Sequence, residues 1–360
     1  MNPLPRPSVP ELTAAHLREG LRMGRWTGTL PGVARLAKDL DVAPTTIRVA
    51  LLQLEAEGLL IGRGLGRSRT ITANVGDALR HPLRVAVFRY DASLNDNPQS
   101  SLILTEIMRS LDAAGHEGYF CTKSQTELRH DVPRMIRHLA ETPADAWVVE
   151  AGSHPLLEWC ITQPTPCLAL YGHAANLPIA CAGPDTAPAY RTATRQLLAL
   201  GHRRIVFIVS ETHRKPTLGI SVRAFLEELS SHGIQASTFN LPDWEESPEG
   251  FAKLLKALFQ HTPPTALIID EIPRFIAAME FLARHGLHVP DRVSLIFSAY
   301  DSTLDWCRPG IAHMRWDNAL IVRRVVRWVD AVRKGKPDLK TIRFPAEFVP
   351  GGSIGPAWKG

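Results

Sequence analysis

The clearest hydrophobic pattern in the chain lies between Asp41 and Leu60, which read DVAPTTIRVALLQLEAEGLL. Apolar residues recur there at helical spacing, so the pattern predicts an amphipathic helix that begins near Pro44 and buries one stripe against a neighbour. The predicted buried stripe is Ile47, Ala50, Leu51 and Leu54, and the opposite stripe is Thr45, Arg48, Val49, Leu52 and Gln53. The second stripe mixes hydrogen-bonding, cationic and apolar groups, which indicates a partner other than water.

The elements predicted around this helix follow a definite order. They are a helix from Pro10 to about Met23, a short helix that carries Leu36, Ala37 and Leu40, the helix from Pro44 that stops at Gly58, and two short strands at Leu59–Gly62 and Ser68–Thr72. A tight turn rich in Gly and Arg joins the two strands. This is the order of a winged helix-turn-helix.

A winged helix-turn-helix inserts its second paired helix into the major groove of DNA, where polar side chains meet base edges and apolar ones meet thymine methyl groups. The mixed stripe of the predicted helix would then face DNA. Three wing arginines, Arg63, Arg67 and Arg69, are placed to reach phosphates or an adjacent minor groove. The alternative is a helical bundle that has no role on DNA.

Beyond the front segment, apolar strand runs alternate with helical patterns, which predicts an α/β fold whose parallel sheets are buried on both faces. Two such series predict two lobes with a cleft between them. The expected domains are a winged helix over 1–72, a linker over 73–82 and a two-lobed domain over 83–360. Lobe 1 is expected at about 83–182 and 310–336, and lobe 2 at about 183–308 and 338–356.

Charge and composition narrow the function. Of the formal net charge of +5, residues 1–80 carry eleven Lys or Arg against seven Asp or Glu, so the positive excess lies at the front, as a phosphate partner requires. The chain has no run long enough for a membrane span and no secretory signal, which predicts a cytoplasmic protein. Its five cysteines show no metal-binding spacing, and no catalytic motif is present. We therefore expect neither a cofactor nor a metal, and no enzymatic activity.

A family resemblance supports the front segment. The run LPGVARLAKDLDVAPTTIRVALLQLEAEGLL, followed by a Gly/Arg wing, resembles the GntR-type winged helix over roughly residues 10–72. The resemblance implies DNA contacts for Thr45, Thr46 and Arg48. Ala34 stands where the family usually has Arg, with Arg35 beside it, and Pro44 replaces the Arg that usually precedes the Thr pair.

A second resemblance covers residues 83–356. The segments RQLLALGHRRIVFI and FLARHGLHVPDRVSLI resemble, in order, the LacI-type sensor domain, which is itself similar to periplasmic sugar-binding proteins. The resemblance implies a small effector, most simply a carbohydrate, bound in the cleft at the carboxyl ends of the strands. The candidate effector-binding residues are Asn97, Glu150, Arg214, Arg223, Asp270 and Asp301. Ser221 and Gly351 stand where the family often has Arg.

Together these features predict a one-component transcription regulator that binds an operator in double-stranded DNA, acts as a homodimer and is controlled by a small effector. We expect a repressor. The alternative from the same sequence is a DNA-binding protein that responds to no ligand and uses its second domain only to dimerise.

Overall fold

The structure, a computed structural model, describes residues 8–22, 25–26, 28–62, 68–72, 82–91, 98–172, 174–215 and 217–358. The chain separates into two compact units, residues 1–82 and residues 83–360. The predicted linker at 73–82 lies outside the described residues except for its last position.

The first unit contains three helices followed by a two-stranded antiparallel sheet. They are α1 (Val9–Arg22), α2 (Val33–Leu40), α3 (Pro44–Ala56), β1 (Leu60–Ile61) and β2 (Thr70–Ile71). The turn between α2 and α3 passes through Asp41, whose φ of 50° lies in the left-handed region that Asp tolerates. Thr29 adds an isolated bridge to Thr70, so the segment before α2 extends the wing. The predicted helix, helix, helix and wing order is therefore present.

The core of this unit is formed where α1, α2 and the wing cover one side of α3. Ile47, Ala50, Leu51 and Leu54 are at most 1% exposed, as the helical spacing predicted. The wing closes the core through Leu59 and Leu60, which are also buried. One face of α3 is thus fully used for packing, which leaves its opposite face for solvent or a partner.

The second unit is built on ten strands with helices on both faces. The strands are β3 (Arg84–Phe88), β4 (Glu117–Phe120), β5 (Ala146–Glu150), β6 (Cys167–Leu170), β7 (Ala180–Asp185), β8 (Ile205–Ile208), β9 (Ala266–Ile269), β10 (Ser294–Phe297), β11 (Ala312–Trp316) and β12 (Thr341–Val349). Their spatial order is β4-β3-β5-β6-β7-β12-β11-β10-β9-β8. All neighbours pair in parallel except β11 and β12.

The helices divide these strands into two lobes. In order they are α4 (Pro98–Ala113), α5 (Val132–Ala140), α6 (His154–Cys160), α7 (Ala187–Ala199), α8 (Glu211–Arg214), α9 (Ile220–Ser231), α10 (Pro248–His261), α11 (Ile272–Arg284) and α12 (Asn318–Arg333), with a 3-10 turn at Ser302–Trp306. In lobe 1, α4 and α12 cover one face of the sheet and α5 and α6 the other. In lobe 2, α7 and α9 cover one face and α10 and α11 the other. The predicted α/β architecture with parallel strands buried on both faces is confirmed.

The crossings between the lobes differ from the predicted positions. The strand β11 was expected in lobe 1, but it pairs with β10 and its Ala312 and Met314 lie in the core of lobe 2. The strand β12 was expected in lobe 2, but its first half, Thr341 to Pro345, pairs with β7 of lobe 1. Pattern alone misplaced these boundaries because strand pairing, and not local hydrophobicity, decides to which sheet a segment belongs.

Within the described residues, no helix is both long and apolar enough to cross a bilayer.

The two faces of α3 make a direct test of this packing. Replacing buried Leu51 by Ala should cost about 2 to 5 kcal/mol of the stability of residues 8–72, because it leaves a cavity in a closed core. Replacing the neighbouring Leu52, which is 57% exposed, should change stability by no more than about 0.5 kcal/mol. Hydrogen exchange of the α1 and α3 amides in the full chain measures both. Equal loss of protection in the two variants would contradict the assigned orientation of α3.

Candidate functional site

The outer face of α3 is the first candidate surface. Thr45, Arg48, Val49 and Leu52 are exposed, and Thr46 and Gln53 are partly exposed. Val49 and Leu52 keep 51% and 57% of their surface accessible, although both are apolar. The helix therefore presents a hydroxyl, a guanidinium and two apolar groups side by side, which is the chemistry that meets base edges and thymine methyl groups in a major groove.

The remaining DNA-contact predictions fall into three groups. Arg35 on α2 is free to reach a phosphate, since its side chain is 78% exposed and its nearest acid, Asp39, lies 3.9 Å away. Arg69 is instead paired with Glu55 of α3, with both side chains largely covered, so it attaches the wing to the helix. Arg63 and Arg67 lie outside the described residues.

A bidentate ion pair holds the end of α3 from the other side. Arg18 of α1 donates from Nε and Nη2 to the two carboxylate oxygens of Glu57, at 3.0 and 2.6 Å. This contact lowers the pKa of Glu57. Together with the contact between Arg69 and Glu55 it fixes α3 between α1 and the wing, as presentation of a rigid recognition surface requires.

The second candidate region lies where the carboxyl ends of β3, β5, β8 and β9 face one another across the two lobes. Glu150 ends β5, is 3% exposed, and accepts a hydrogen bond from the backbone N–H of Tyr90, at 2.9 Å. The Tyr90 side chain points toward Thr212, Glu246 and Glu271 of lobe 2, and burial raises its pKa to about 12. The polar groups of the lobes thus meet at the position that the sequence predicted for a cleft. Asn97 lies outside the described residues.

Lobe 2 contributes a dense ionic network at the ends of β8 and β9. Asp270 accepts from the backbone N–H and the hydroxyl of Ser210, at 2.7 and 3.0 Å. Arg274 donates to Asp270 and to the Ser210 hydroxyl, at 2.8 Å each, and its guanidinium lies 3.2 Å from Glu271. The same guanidinium stacks 5.0 Å from the centre of the Trp244 ring. Arg274 therefore ties the two loops and α11 together.

Glu271 is a member of this network whose pKa is raised by its surroundings. Burial raises its pKa to about 7, and the adjacent negative charge of Asp270 adds to the rise, while Arg274 and the Ser210 hydroxyl act against it. Across the cleft, Asp91 of lobe 1 also raises the pKa of Glu271. An acid of lobe 1 therefore adds to the pKa shift of a carboxyl group of lobe 2.

Arg214, predicted to bind the effector, has a structural role. Its side chain is 4% exposed and pairs with Asp243 and with Glu246, the latter at 3.4 Å. Its Nε also donates to the carbonyl of Val209 at 3.0 Å, which anchors the loop after β8. Nε, Nη1 and Nη2 of Arg214 are therefore all engaged by groups of lobe 2.

The last two predicted effector residues lie elsewhere. Arg223 is exposed on α9, where its Nη2 donates to the carbonyl of Leu218 at 3.3 Å. Asp301 follows the carboxyl end of β10, where it caps the 3-10 turn by accepting from the backbone and hydroxyl of Thr303, and it lines a cavity together with Gly351. Among the described members of the predicted set, Glu150 and Asp270 lie at the carboxyl ends of β5 and β9, and Arg214 lies in the loop region after β8.

Sequence reasoning missed several cleft residues. They are Tyr90, Trp244, Glu246 and Arg274. A signal existed for Arg274, since it follows Asp270 by four residues at a helix start, the spacing of an ion pair on one helix face. The partners from the segment 243–246 gave no local signal, because they reach the site from a connection far along the chain.

Comparisons with known proteins agree with this architecture. Residues 194–354 match the family model described as a periplasmic binding protein-like domain. The HTH-type transcriptional repressor PurR of Pasteurella multocida (strain Pm70) is 29% identical over 115 residues, which cover 31% of this chain and 32% of that protein. The chain thus matches about a third of the length of this curated relative.

Solved structures extend the likeness to the fold as a whole. A transcriptional regulator CelR–cellobiose complex superposes with a TM-score of 0.63 and 17% identity, covering 97% of this chain and all of that one (100%). A lac repressor dimer bound to operator and the anti-inducer ONPF superposes with a TM-score of 0.60 and 17% identity, covering 79% of this chain and 99% of that one. Residues 83–360 therefore have the two-lobed periplasmic-binding-protein-like fold.

The raised pKa of Glu271 generates a prediction. Because its folded pKa, about 7, exceeds its ordinary value of 4.5, the native state binds an extra proton between these pH values, and stability falls as pH rises through that window. Glu271→Gln removes this effect, so the melting temperature of the variant relative to wild type should rise from about pH 5 to about pH 7 and stay level above it. The change should be modest, since the Glu271 side chain is 39% exposed and partly screened.

Thermal unfolding of the full chain across this pH range measures the effect. Glu280→Gln, on the exposed face of the same helix, is the matched control. A flat difference between Glu271→Gln and wild type would show that Glu271 is not held above its ordinary pKa.

Proposed function

We propose that the chain is a transcription regulator that binds specific double-stranded DNA through a winged helix and adjusts this binding when a small ligand occupies the cleft of its second unit. The observation that carries the proposal is the exposed outer face of α3. A helix whose one face is fully buried still presents Val49 and Leu52 beside Arg48 and Thr45, a combination that plain solvent does not explain.

We assign the head to the GntR type. The two-stranded sheet after α3 supports a winged helix, and the resemblance of residues 10–72 supports the type. Thr45, Thr46 and Arg48 are the proposed base or phosphate contacts, with Arg35 as a phosphate contact. Arg69 is dropped from the set because Glu55 holds it. A DNA partner would place the site of action in the cytoplasm.

The second unit is proposed as the sensor. The solved CelR structure was obtained with cellobiose, which supports a carbohydrate or a close derivative as the ligand class. The cleft here offers carboxylates, hydroxyls and two aromatic rings, Tyr90 and Trp244, groups that recognise hydroxylated ligands by hydrogen bonding and by ring contact. The role is binding, with no chemical conversion of the ligand.

Regulation would proceed through lobe closure. A ligand that binds the closed arrangement better than the open one shifts the equilibrium toward closure. The free energy of this shift is at most the difference between its binding free energies for the closed and the open arrangement. In a homodimer, closure changes the spacing of the two heads and hence the fit to a two-fold symmetric operator. The solved lac repressor is a dimer on its operator, which supports this assembly and repression as the output.

A second candidate remains open to test. The chain could bind DNA without responding to any ligand and use its second unit only for dimerisation. Two observations favour this second function, because both residues were expected to hold the ligand. Arg214 is paired with Asp243 inside the protein, and Arg223 is exposed.

Arg48→Ala tests the head. On the DNA fragment that the wild type binds best, the variant should lose about 1 to 3 kcal/mol of binding free energy, because one base or phosphate contact is removed. Its thermal stability should be unchanged, since Arg48 is exposed. Arg109→Ala, an exposed arginine of α4, is the charge-matched control. Undiminished affinity of Arg48→Ala at fixed salt would refute the assigned face.

A ligand screen tests the sensor. Monosaccharides, disaccharides, sugar acids and polyols are assayed first for thermal stabilisation and then for an effect on DNA binding. A true effector should change DNA affinity by about 5- to 150-fold, and should release the DNA if the protein is a repressor. If nothing in the panel stabilises the chain or alters DNA binding, the dimerisation-module function takes precedence.

Sedimentation tests the assembly. Residues 83–360, which form a compact unit of their own, should sediment as a dimer at micromolar concentration. A monomer would move dimerisation to the head or to the DNA.

A further inference from the structure

Positive charge is concentrated in one segment of the second unit. Residues 315–343 carry nine Lys or Arg against three Asp or Glu, a surplus of six. The rest of residues 83–360 carries twenty-one Lys or Arg against twenty-six Asp or Glu, a deficit of five. The near-neutral total of this unit is therefore the sum of a basic segment, centred on α12 and the loop after it, and an acidic remainder.

The acids of this segment are engaged within the protein. Asp338 accepts from both Nη atoms of Arg324, at 2.8 and 2.5 Å, and Asp330 accepts from Arg333 at 2.7 Å. The third acid, Asp317, caps the start of α12 by accepting a backbone N–H. The side chains of Arg324 and Arg333 are only 7% and 14% exposed, so these ion pairs neutralise the inner cations of the segment.

The outer cations form a basic surface, which consists of Arg323, Arg327, Lys334, Lys336 and Lys340. All five are exposed, and none of them forms an ion pair with a described residue. Arg323, Arg327 and Lys334 follow one another by four and seven residues, so they lie within about 40° of each other around the helix axis and along roughly 16 Å of it. Asp330 lies in the same stripe, but Arg333 holds its carboxylate.

The loop after α12 places two further lysines beside this stripe. Arg324 pairs with Asp338 and donates to the carbonyl of Lys340 at 3.0 Å, and Trp328 donates from its indole N–H to the carbonyl of Asp338 at 3.2 Å. These contacts fold the loop that carries Lys336 and Lys340 back onto the helix. The basic surface is therefore continuous and is held by buried side chains.

The stability of α12 does not account for this arrangement. Arg323 and Arg327 are like charges one helical turn apart, a spacing that destabilises a helix. The helix dipole favours cations in the last turn, so it explains Lys334 but not the two arginines. An anion placed over the basic surface would relieve this repulsion.

We propose that the basic surface binds the phosphate backbone of duplex DNA, so that the second unit adds contacts that do not depend on base sequence. Duplex DNA carries one charge for about every 1.7 Å of its axis, which suits cations spread over roughly 16 Å. An acidic protein would need apolar groups at the centre of its interface, and Leu339 is the only large apolar side chain exposed in residues 315–343. The inference rests on the proposed DNA partner, but not on which face of α3 reads the bases.

The test is binding of the full chain to two labelled duplexes, the fragment that the wild type binds best and a random sequence, over a series of salt concentrations. The combined variant Arg323→Gln, Arg327→Gln and Lys334→Gln should weaken binding to both duplexes by the same factor. Its plot of log binding constant against log salt concentration should be less steep by about 0.9 for each lost phosphate contact, hence by roughly 2 to 3 for each bound chain.

The matched control removes three exposed cations from other helices of the same unit, Arg137→Gln, Lys253→Gln and Lys256→Gln. It lowers the net charge equally and should keep the wild-type affinity and salt slope. The variant Arg323→Lys and Arg327→Lys preserves the charge and should keep them as well. Melting temperatures of all variants separate loss of binding from loss of folding.

Three results would overturn the proposal: a wild-type salt slope in the triple variant of the basic surface, an equal loss in the matched control, or a loss confined to the preferred fragment. The outcome is distinct from that of the head. A chain that prefers no sequence but loses salt dependence in the triple variant would refute only the reading role of α3. A chain that prefers a sequence and keeps its slope would refute only the basic surface.

Discussion

The strand β12 belongs to both lobes, and the arrangement of residues 83–360 depends on it. Its first half continues the sheet of lobe 1 in parallel beside β7, and its second half pairs in antiparallel with β11 of lobe 2. Pro345 is the last residue paired with β7, and because proline has no N–H to donate, the ladder can end there. Backbone hydrogen bonds thus join two sheets that each have their own cores.

The strand β12 also determines where the charged and polar side chains of the two lobes come together. The lobe 1 strands run parallel to β12 and the lobe 2 strands antiparallel to it, so the carboxyl ends of β3 and β5 face those of β8 and β9, and the loops at these ends carry the charged groups. Burying so many charges is tolerable only because they are paired. Arg274 and Arg214 each contact several carboxylates, so both hold loops in place, and we propose the carboxylates, hydroxyls and aromatic rings of the cleft as its ligand contacts.

Features set by residues close together in the sequence were predicted better than features that join distant segments of the chain. The stripe Ile47, Ala50, Leu51 and Leu54 is a local pattern, and each member is buried as predicted. Most strands of the lobes were equally clear, since runs such as Ala266–Ile269 are buried on both faces. The strand Glu117–Phe120 is only partly buried and lies at the edge of the sheet, and it gave no such signal.

Side-chain partners were predicted less well, because they join distant segments. Arg69 was expected on DNA, but Glu55, fourteen residues away, holds it in the wing. Arg214 pairs with acids about thirty residues further along the chain. Gly351 was considered as a lost arginine, yet a Cβ at this position would lie 2.5 Å from the backbone nitrogen of Ala312, so the local backbone requires glycine. Such constraints exist only in the folded chain.

We propose that the outer face of α3 reads a specific DNA sequence as part of a two-fold symmetric assembly. In vitro selection of the full chain against a random duplex library measures this. We expect an enriched inverted repeat, whose two half-sites are read by identical heads and whose spacing is fixed by the dimer. Enrichment of no sequence above background, or of a single asymmetric site, would contradict it.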